Sequence, residues 1–261
     1  MVNMIVCVKQ ALDVADLKVD PNTRKPKVEE TPRKISDFDK NALEEAIRLK
    51  EKHGGKISVV TLSGVKLTET VKEALAMGAD EAYILDDQAF GWLDTLATAQ
   101  VLAAAIRKIG EWDLILCGEA SIDGYSAQVG PRIAEELNIP QLTYARSVTL
   151  DGDKIVVEKS LEDFYETAEA KMPVLVTVIK EINEPRLPTL IQIMGAAKKP
   201  MTTWNADDLG VPKDISESVS AIQILEVTAP KMERKNIVFK GEVDETVEQL
   251  VKTLTKEGLI R

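Results

Sequence analysis

Histidine is almost missing from this chain. His53 stands alone, and the two cysteines, Cys7 and Cys117, lie far apart in the sequence. With one histidine and no clustered cysteines, neither a zinc site nor a Ser-His or Cys-His catalytic pair can be assembled from the usual parts. Both cysteines sit inside apolar strand-like runs, where cysteine behaves as a small buried hydrophobe. His53, in KEKHGG, reads as a cation near the last carbonyls of a helix. Redox or group-transfer chemistry would have to be carried by a cofactor.

Other absences narrow the function further. There is no Gly-Lys-Thr/Ser phosphate loop and no evident cluster of metal-binding carboxylates, which speaks against an adenylating ligase or hydrolase. The formal net charge of −10 disfavours nucleic acid or an anionic membrane as partner, since both select basic faces. No apolar run approaches the span of a bilayer, and the start does not resemble a signal peptide. The expectation is a cytoplasmic protein without membrane insertion. Internal repeats and low-complexity tracts are also lacking, while 44% hydrophobic residues in 261 are enough for one large domain, or one domain plus an arm.

What is present is an alternation of strand and helix patterns. Residues 4–8 read as a first strand, followed by a charged, proline-bearing segment to Arg33 that forms a long loop or small exposed hairpin. Ser36, Asp37 and Asp39 offer caps for a helix through Ala42, Leu43, Ala46, Ile47 and Leu49, closed by Gly54 and Gly55. Residues 57–62 make a second strand. Thr70 and Glu73 have capping-box spacing for a helix ending at Gly78. Residues 82–85 are a third strand, 94–109 a helix and 114–117 a fourth strand. After Pro140 the pattern becomes antiparallel: residues 147–150 and 154–160 flank Asp151-Gly152, a hairpin signal, and 174–179 restore a central strand.

The fold class is therefore α/β: a doubly wound, mainly parallel sheet with helices on both faces, an antiparallel hairpin addition and a C-terminal arm. Residues 1–200 form the domain. Residues 201–261, with Trp204 and an amphipathic stripe of Val243, Val247, Leu250, Val251 and Leu254, form an arm that packs on a partner subunit or on this chain. The loops after Val8, Leu62 and Cys117 share one rim, at the carboxyl ends of the strands where ligands bind such sheets.

The richest segment is residues 114–141, LILCGEASIDGYSAQVGPRIAEELNIPQ. It passes from a buried strand through a glycine-bearing polar loop into a helix with Val129, Ile133 and Leu137 on one face. Gly118, Gly124 and Gly130 allow close backbone approach or positive φ, while Ser121, Asp123 and Ser126 offer cap oxygens. The helix start points free N–H groups into the loop, which suits a phosphate. An ordinary structural connection has the same ingredients.

Several segments together resemble the β subunit of electron-transfer flavoprotein: VCVKQALD from Val6, DKNALEEAIRLKE from Asp39, EALAMGADEA from Glu73, LDTLATAQVLAAAI from Leu93, CGEASIDGYSAQVGP from Cys117, and EPRLPTLIQIMGAAKKP from Glu184. Their order and spacing cover nearly the whole chain. The resemblance implies an adenine-nucleotide site formed by Cys7 through its backbone, by Ser36, Asp37, Phe38 and Asp39, by Ser63 and Gly64, and by the loop. The loop residues are Gly118, Glu119, Ala120, Ser121, Ile122, Asp123, Gly124, Tyr125, Ser126, Ala127, Gln128, Val129 and Gly130.

Two forms of the family differ at this site, one holding structural AMP and the other a second FAD. Small residues at Gly124 and Ala127, with Gln128-Val129-Gly130-Pro131, resemble the FAD-binding, electron-bifurcating form. The chain departs from it at Tyr125-Ser126, where an acidic residue and threonine are usual, and at Ala11-Leu12, where Val-Pro is common. The implied partners are an electron-transfer flavoprotein α subunit in a heterodimer, NADH as electron donor, and dehydrogenases or quinone- or ferredoxin-linked redox partners. Pro188, Leu190, Ile193 and Met194 fall in the family's partner-docking segment, although the same apolar residues could simply pack on the domain. The alternatives are a single-flavin carrier with AMP in this subunit and a non-redox adenine-nucleotide sensor.

Overall fold

The computed structural model describes residues 1–63, 68–222, 224–231 and 235–260. The apolar run MIVC forms β1 (Met4–Cys7), buried at every position as a central parallel strand must be. The antiparallel pair β2 (Gln10–Leu12) and β3 (Arg33–Ile35) follows, with the proline-bearing segment as the excursion between them. α1 (Asp37–His53) buries Leu43, Ala46 and Ile47 and ends at Gly54, whose φ of 71° suits only glycine well.

β4 (Ile57–Ser63), α2 (Thr68–Met77), β5 (Glu81–Asp86), α3 (Thr95–Ile109), β6 (Leu114–Gly118) and α4 (Val129–Leu137) complete the βα alternation. β7 (Gln141–Asp151), β8 (Lys154–Ser160) and β9 (Tyr165–Lys171) form an antiparallel meander, and β10 (Val174–Val178) returns to the centre. The remaining elements are α5 (Leu190–Ala196), β11 (Met201–Trp204), α6 (Ala206–Leu209), α7 (Ile215–Ser218) and α8 (Val243–Lys256).

Among the described residues the main sheet has nine strands in the order β11-β5-β4-β1-β6-β10-β7-β8-β9, parallel from β11 through β7 and antiparallel beyond it. Its two faces carry separate cores. On one, Leu43 of α1 and Leu75 of α2 pack with Val6, Val59 and Leu116; on the other, Val101 of α3 and Ile133 of α4 pack with Ile5, Val60 and Ile115. Adjacent residues of one strand thus feed opposite cores, the two-sided burial expected of a doubly wound sheet.

Several local expectations are corrected. α2 starts at Thr68, so Thr70 is inside it and is no cap; its hydroxyl instead donates to Gln10 Oε1 at 2.7 Å. The hairpin turn is Gly152-Asp153, because Asp151 pairs with Lys154 and Gly152 takes φ 61°. β9 went unseen because its residues, YETAEAK, are polar or small and largely exposed, leaving little alternation to read. Trp204 belongs to β11, which pairs in parallel with β5, so the sheet takes in the start of the segment assigned to the arm. His53 caps nothing through Nε2, which is enclosed without a hydrogen-bond partner, and Gly54 supplies the C-cap.

The loop before α5 is held on α1 by a charged clamp. Glu44, only 3% exposed, accepts from Arg186 Nε at 2.8 Å and Nη2 at 3.0 Å, and Glu51 accepts from Nη1 at 2.5 Å. Asn41 reinforces it by donating to the carbonyls of Lys180 and Asn183. Removing one partner of such a pair strands the other. We expect Glu44→Ala to lower unfolding free energy by about 2 kcal/mol, the buried-pair value discounted for the part-exposed arginine. Urea unfolding checks this, and an unchanged midpoint would remove the clamp from the account.

Candidate functional site

The chain leaves β1 toward β4 and β5, then returns on the other side of β1 at β6. Connections therefore diverge at the carboxyl ends of β1 and β6, and a crevice opens where they part. Three segments meet there: the residues after β1, the first turn of α1, and the loop joining β6 to α4.

Asp39 ties the three together. Its carboxylate accepts the Lys9 N–H at 2.8 Å and the Gly118 N–H at 3.1 Å, joining the exits of β1 and β6 to the start of α1. Gly118 has to be glycine, since a Cβ would lie 2.5 Å from Asp39 Oδ1 and 2.7 Å from Phe38 Cβ. Ser36 is fully buried and occupies the N-cap position of α1 without a side-chain cap bond; its Oγ accepts the Ile122 N–H at 3.3 Å. Its expected capping role is thus replaced by a long-range one. Asp37 lies at the outer side of this turn, 3.3 Å from Lys34 Nζ.

The loop is held from the opposite wall by Lys9. Its Nζ donates to Asp123 Oδ1 at 2.6 Å and Ser121 Oγ at 3.2 Å, while Asp123 Oδ2 accepts the Leu12 N–H at 3.3 Å. Sequence inspection missed Lys9 as a site residue; a lysine directly after the β1 run was its only signal. Ser121 also accepts the Gly124 N–H through Oγ and the Tyr125 N–H through its carbonyl. Neither Ser121, Asp123 nor Ser126 caps α4, whose N-cap is Gln128 with no side-chain cap bond.

Of the two uses open to the loop glycines, close approach holds for Gly118 and Gly130, and none of them takes positive φ. Tyr125 and Ala127 do, at 47° and 53°. Gln128 follows in the right-handed region, and a left-handed residue next to a right-handed one gathers successive N–H groups around a concavity that suits an anion. The N–H groups of Val129 and Gly130, at the start of α4, have no acceptor among the described residues. Gly130 serves packing, since a Cβ would stand 2.7 Å from Thr177 Cγ2 and hold α4 off the sheet.

The other expected residues distribute as follows. Cys7 ends β1 with its side chain buried, and Ala120 is buried beneath the loop. Glu119 donates its N–H to the Val178 carbonyl, fastening the loop to β10. Phe38 and Tyr125 meet edge to face across the crevice, ring centroids 6.0 Å apart. Gln128 Oε1 accepts from Thr95 Oγ1 and Arg132 Nη2. The backbone of Ser63 ends β4 on the same rim, and Gly64 lies outside the described residues. Pro188 lies before α5, and Leu190, Ile193 and Met194 lie on it. Leu190, Ile193 and Met194 are exposed, while α5 rests on the domain through the buried Ala196.

Burial pushes Asp39 up to about 7, against its two N–H donors and the nearby Lys9 charge, which favour the carboxylate. Asp123 also suffers desolvation, but the Lys9 hydrogen bond and charge hold it below the ordinary carboxylate range. Burial and the Glu181 charge raise Glu119. Hydrogen bonding to Cys7 together with burial keeps the Cys117 thiol well above its usual range, so it stays protonated and unreactive. A cleft of about 570 Å³ between Arg107 and Lys108 of α3, Glu136 of α4 and the Leu209–Val211 turn lies at the far end of α3, away from this rim.

Fold and site together define a doubly wound α/β protein whose loops converge at a topological switch point, where such sheets take ligands. Residues 27–209 match the electron transfer flavoprotein domain. The chain is 45% identical to the electron transfer flavoprotein subunit beta of Thermoanaerobacterium thermosaccharolyticum, over 99% of this chain and 100% of that one. It is 38% identical to the caffeyl-CoA reductase-Etf complex subunit CarD of Acetobacterium woodii, covering 98% and 99%. It is also 38% identical to the protein FixA of Azorhizobium caulinodans, covering 82% and 79%. The chain belongs to the electron transfer flavoprotein family, as a β subunit, and its role lies in electron transfer.

Asp39 yields a pH dependence. Its folded-state value lies above the unfolded one, so between about pH 4 and 7 the unfolded chain has lost a proton that the folded one keeps. Its contribution makes stability fall across that window, by about 1.4 kcal/mol per pH unit at steepest, and level off above pH 7. Asp39→Asn should remove this slope. Carboxyl NMR placing Asp39 near 4 would contradict the prediction.

Proposed function

We propose that the crevice between β1 and β6 binds FAD by its pyrophosphate and adenosine, and that this chain works as the β half of a heterodimer passing electrons from NADH. The observation carrying this is the loop itself: it is pinned by Asp39, Ser36 and Lys9, yet the N–H groups of Val129 and Gly130 have no acceptor among the described residues. The donor set fits a pyrophosphate. Backbone N–H groups at a helix start and an adjacent ammonium give charge-assisted bonds of about 1.5–3 kcal/mol each.

When bound, the flavin would supply the redox chemistry, taking hydride equivalents from NADH and releasing electrons one at a time. The chain's own residues bind and orient it. Ser36, Asp37, Phe38 and Asp39 bound the side toward α1, Cys7 offers backbone at the crevice floor, and residues 118–130 form the phosphate wall. Gly124 and Ala127, on either side of the Tyr125-Ser126 pair, add little side-chain bulk at the mouth, which supports FAD over AMP. The structural ligand AMP remains the outcome if a flavin fails to bind here. No side chain is required as acid or base.

Assembly with an α subunit is supported by the names of the relatives, one a subunit beta and another a subunit of a caffeyl-CoA reductase-Etf complex. It is supported also by α8, whose Val243, Val247, Leu250 and Val251 are exposed along one face. Partner dehydrogenases would dock on α5, where Leu190 is 72% exposed and Arg186 anchors the preceding loop. A quinone- or ferredoxin-linked acceptor completes the reading. Among the described residues no helix is long and apolar enough to cross a membrane.

Two variants test this reading. A Cβ at Gly124 would meet only Ser121 Oγ (3.2 Å) and the flexible Lys9 Nζ (3.9 Å), so we expect the fold to tolerate Gly124→Val while the added methyls narrow the mouth. The purified heterodimer should then lose the nucleotide of this subunit at unchanged thermal stability, and full occupancy in a folded variant sinks the assignment. Leu190→Ala should slow electron exchange with partner dehydrogenases about tenfold, as loss of an apolar anchor does. Transfer at the normal rate would mean that docking occurs elsewhere.

A further inference from the structure

We propose that Tyr125 is a stacking surface for the planar ring system of the nucleotide bound at this rim, with Phe38 holding its ring in place. The proposal rests on the nucleotide reading above and gives one side chain a role in it that the main-chain phosphate wall does not supply.

The evidence is positional. Tyr125 is 66% exposed, yet its backbone sits at φ 47°, a conformation that costs free energy for a bulky L-residue. The surrounding contacts enforce it: the Tyr125 N–H donates to the Ser121 carbonyl, and Ser121 is held in turn by Lys9. The result is an aromatic ring standing at the crevice mouth. Phe38, from the first turn of α1, meets that ring at an interplanar angle of 63° with centroids 6.0 Å apart. The pair bridges the two walls of the crevice. Because the contact is edge to face, it leaves ring surface uncovered, and the flanking Gly124, Ser126 and Ala127 are too small to cover it. A free tyrosine face beside a phosphate-shaped loop suits a heteroaromatic ring attached to that phosphate.

The test uses the αβ heterodimer stripped of nucleotide, as wild type, Tyr125→Leu and Tyr125→Phe, titrated separately with FAD and with AMP. Leucine keeps the bulk and loses the ring, and should weaken FAD about tenfold, whereas phenylalanine should stay near wild type. At saturation the flavin emission should rise in the leucine variant, since a stacked phenol quenches an excited flavin and a leucine does not. An unchanged AMP affinity assigns the stacked ring to the isoalloxazine; an equal loss for AMP assigns it to adenine. A leucine variant with wild-type affinity for both ligands and unchanged emission overturns the proposal. Wild-type protein that binds neither ligand overturns the nucleotide reading itself, and the role of Tyr125 with it.

Discussion

Everything at the rim depends on one buried carboxylate. Asp39 sits in the first turn of α1 and receives N–H groups from the residues leaving β1 and β6, the two strands between which the chain reverses its winding. A switch point needs such a tie, because the connections diverge there and nothing in the sheet ladder fixes the distance between their first loop residues. Desolvation works against the charge of Asp39 while the two N–H groups work for it, and the balance falls near neutrality. The cost is accepted at the place where backbone must be held for something other than itself.

The loop after β6 is built on that tie. Gly118 can approach α1 only without a side chain, Ser36 then catches Ile122, and Lys9 catches Ser121 and Asp123 from across the crevice. These contacts drive Tyr125 and Ala127 into the left-handed region, a conformation costing of order 1 kcal/mol for each non-glycine residue. Strain in a loop so well anchored implies preorganisation: the N–H groups that face the crevice are oriented by the protein before any ligand arrives. A cofactor bound there would meet a formed surface, as a carrier cycling between partners requires.

Much of this was legible in the residues. The alternation of apolar runs and helix stripes revealed the doubly wound sheet, because residues such as Ile5 and Val6 must be buried on both faces, and the glycines and polar residues of 118–130 marked the loop. Less legible were features set by long-range partners. Thr70 looks like a cap in sequence but spends its hydroxyl on Gln10, and Ser36 spends its own on Ile122. The lysine that staples the loop, Lys9, is 112 residues from Ser121, beyond any local signal. β9 offers little hydrophobic alternation because only the small Ala168 and Ala170 pack against the core, and ladder bonds to β8 and ion pairs such as Lys159–Glu166 hold the rest. Glycine signals close approach or positive φ without saying which: Gly118 and Gly130 serve close approach, and positive φ falls on Tyr125 and Ala127.

The α5 surface and α8 extend the same logic outward. Both expose apolar side chains that the domain does not cover, and the clamp of Glu44 and Glu51 on Arg186 fixes the approach to α5 from the same helix whose first turn lines the crevice. One helix thus supports the candidate cofactor site at its start and the candidate docking loop farther along. The most direct measurement of the central claim is acid release and mass-spectrometric quantification of the nucleotides in the copurified αβ complex. The account predicts two FAD per heterodimer, one of them in the rim of this chain. One FAD with one AMP would contradict the flavin assignment while keeping the site, and a complex with no adenine nucleotide on this subunit would contradict the account of the rim altogether.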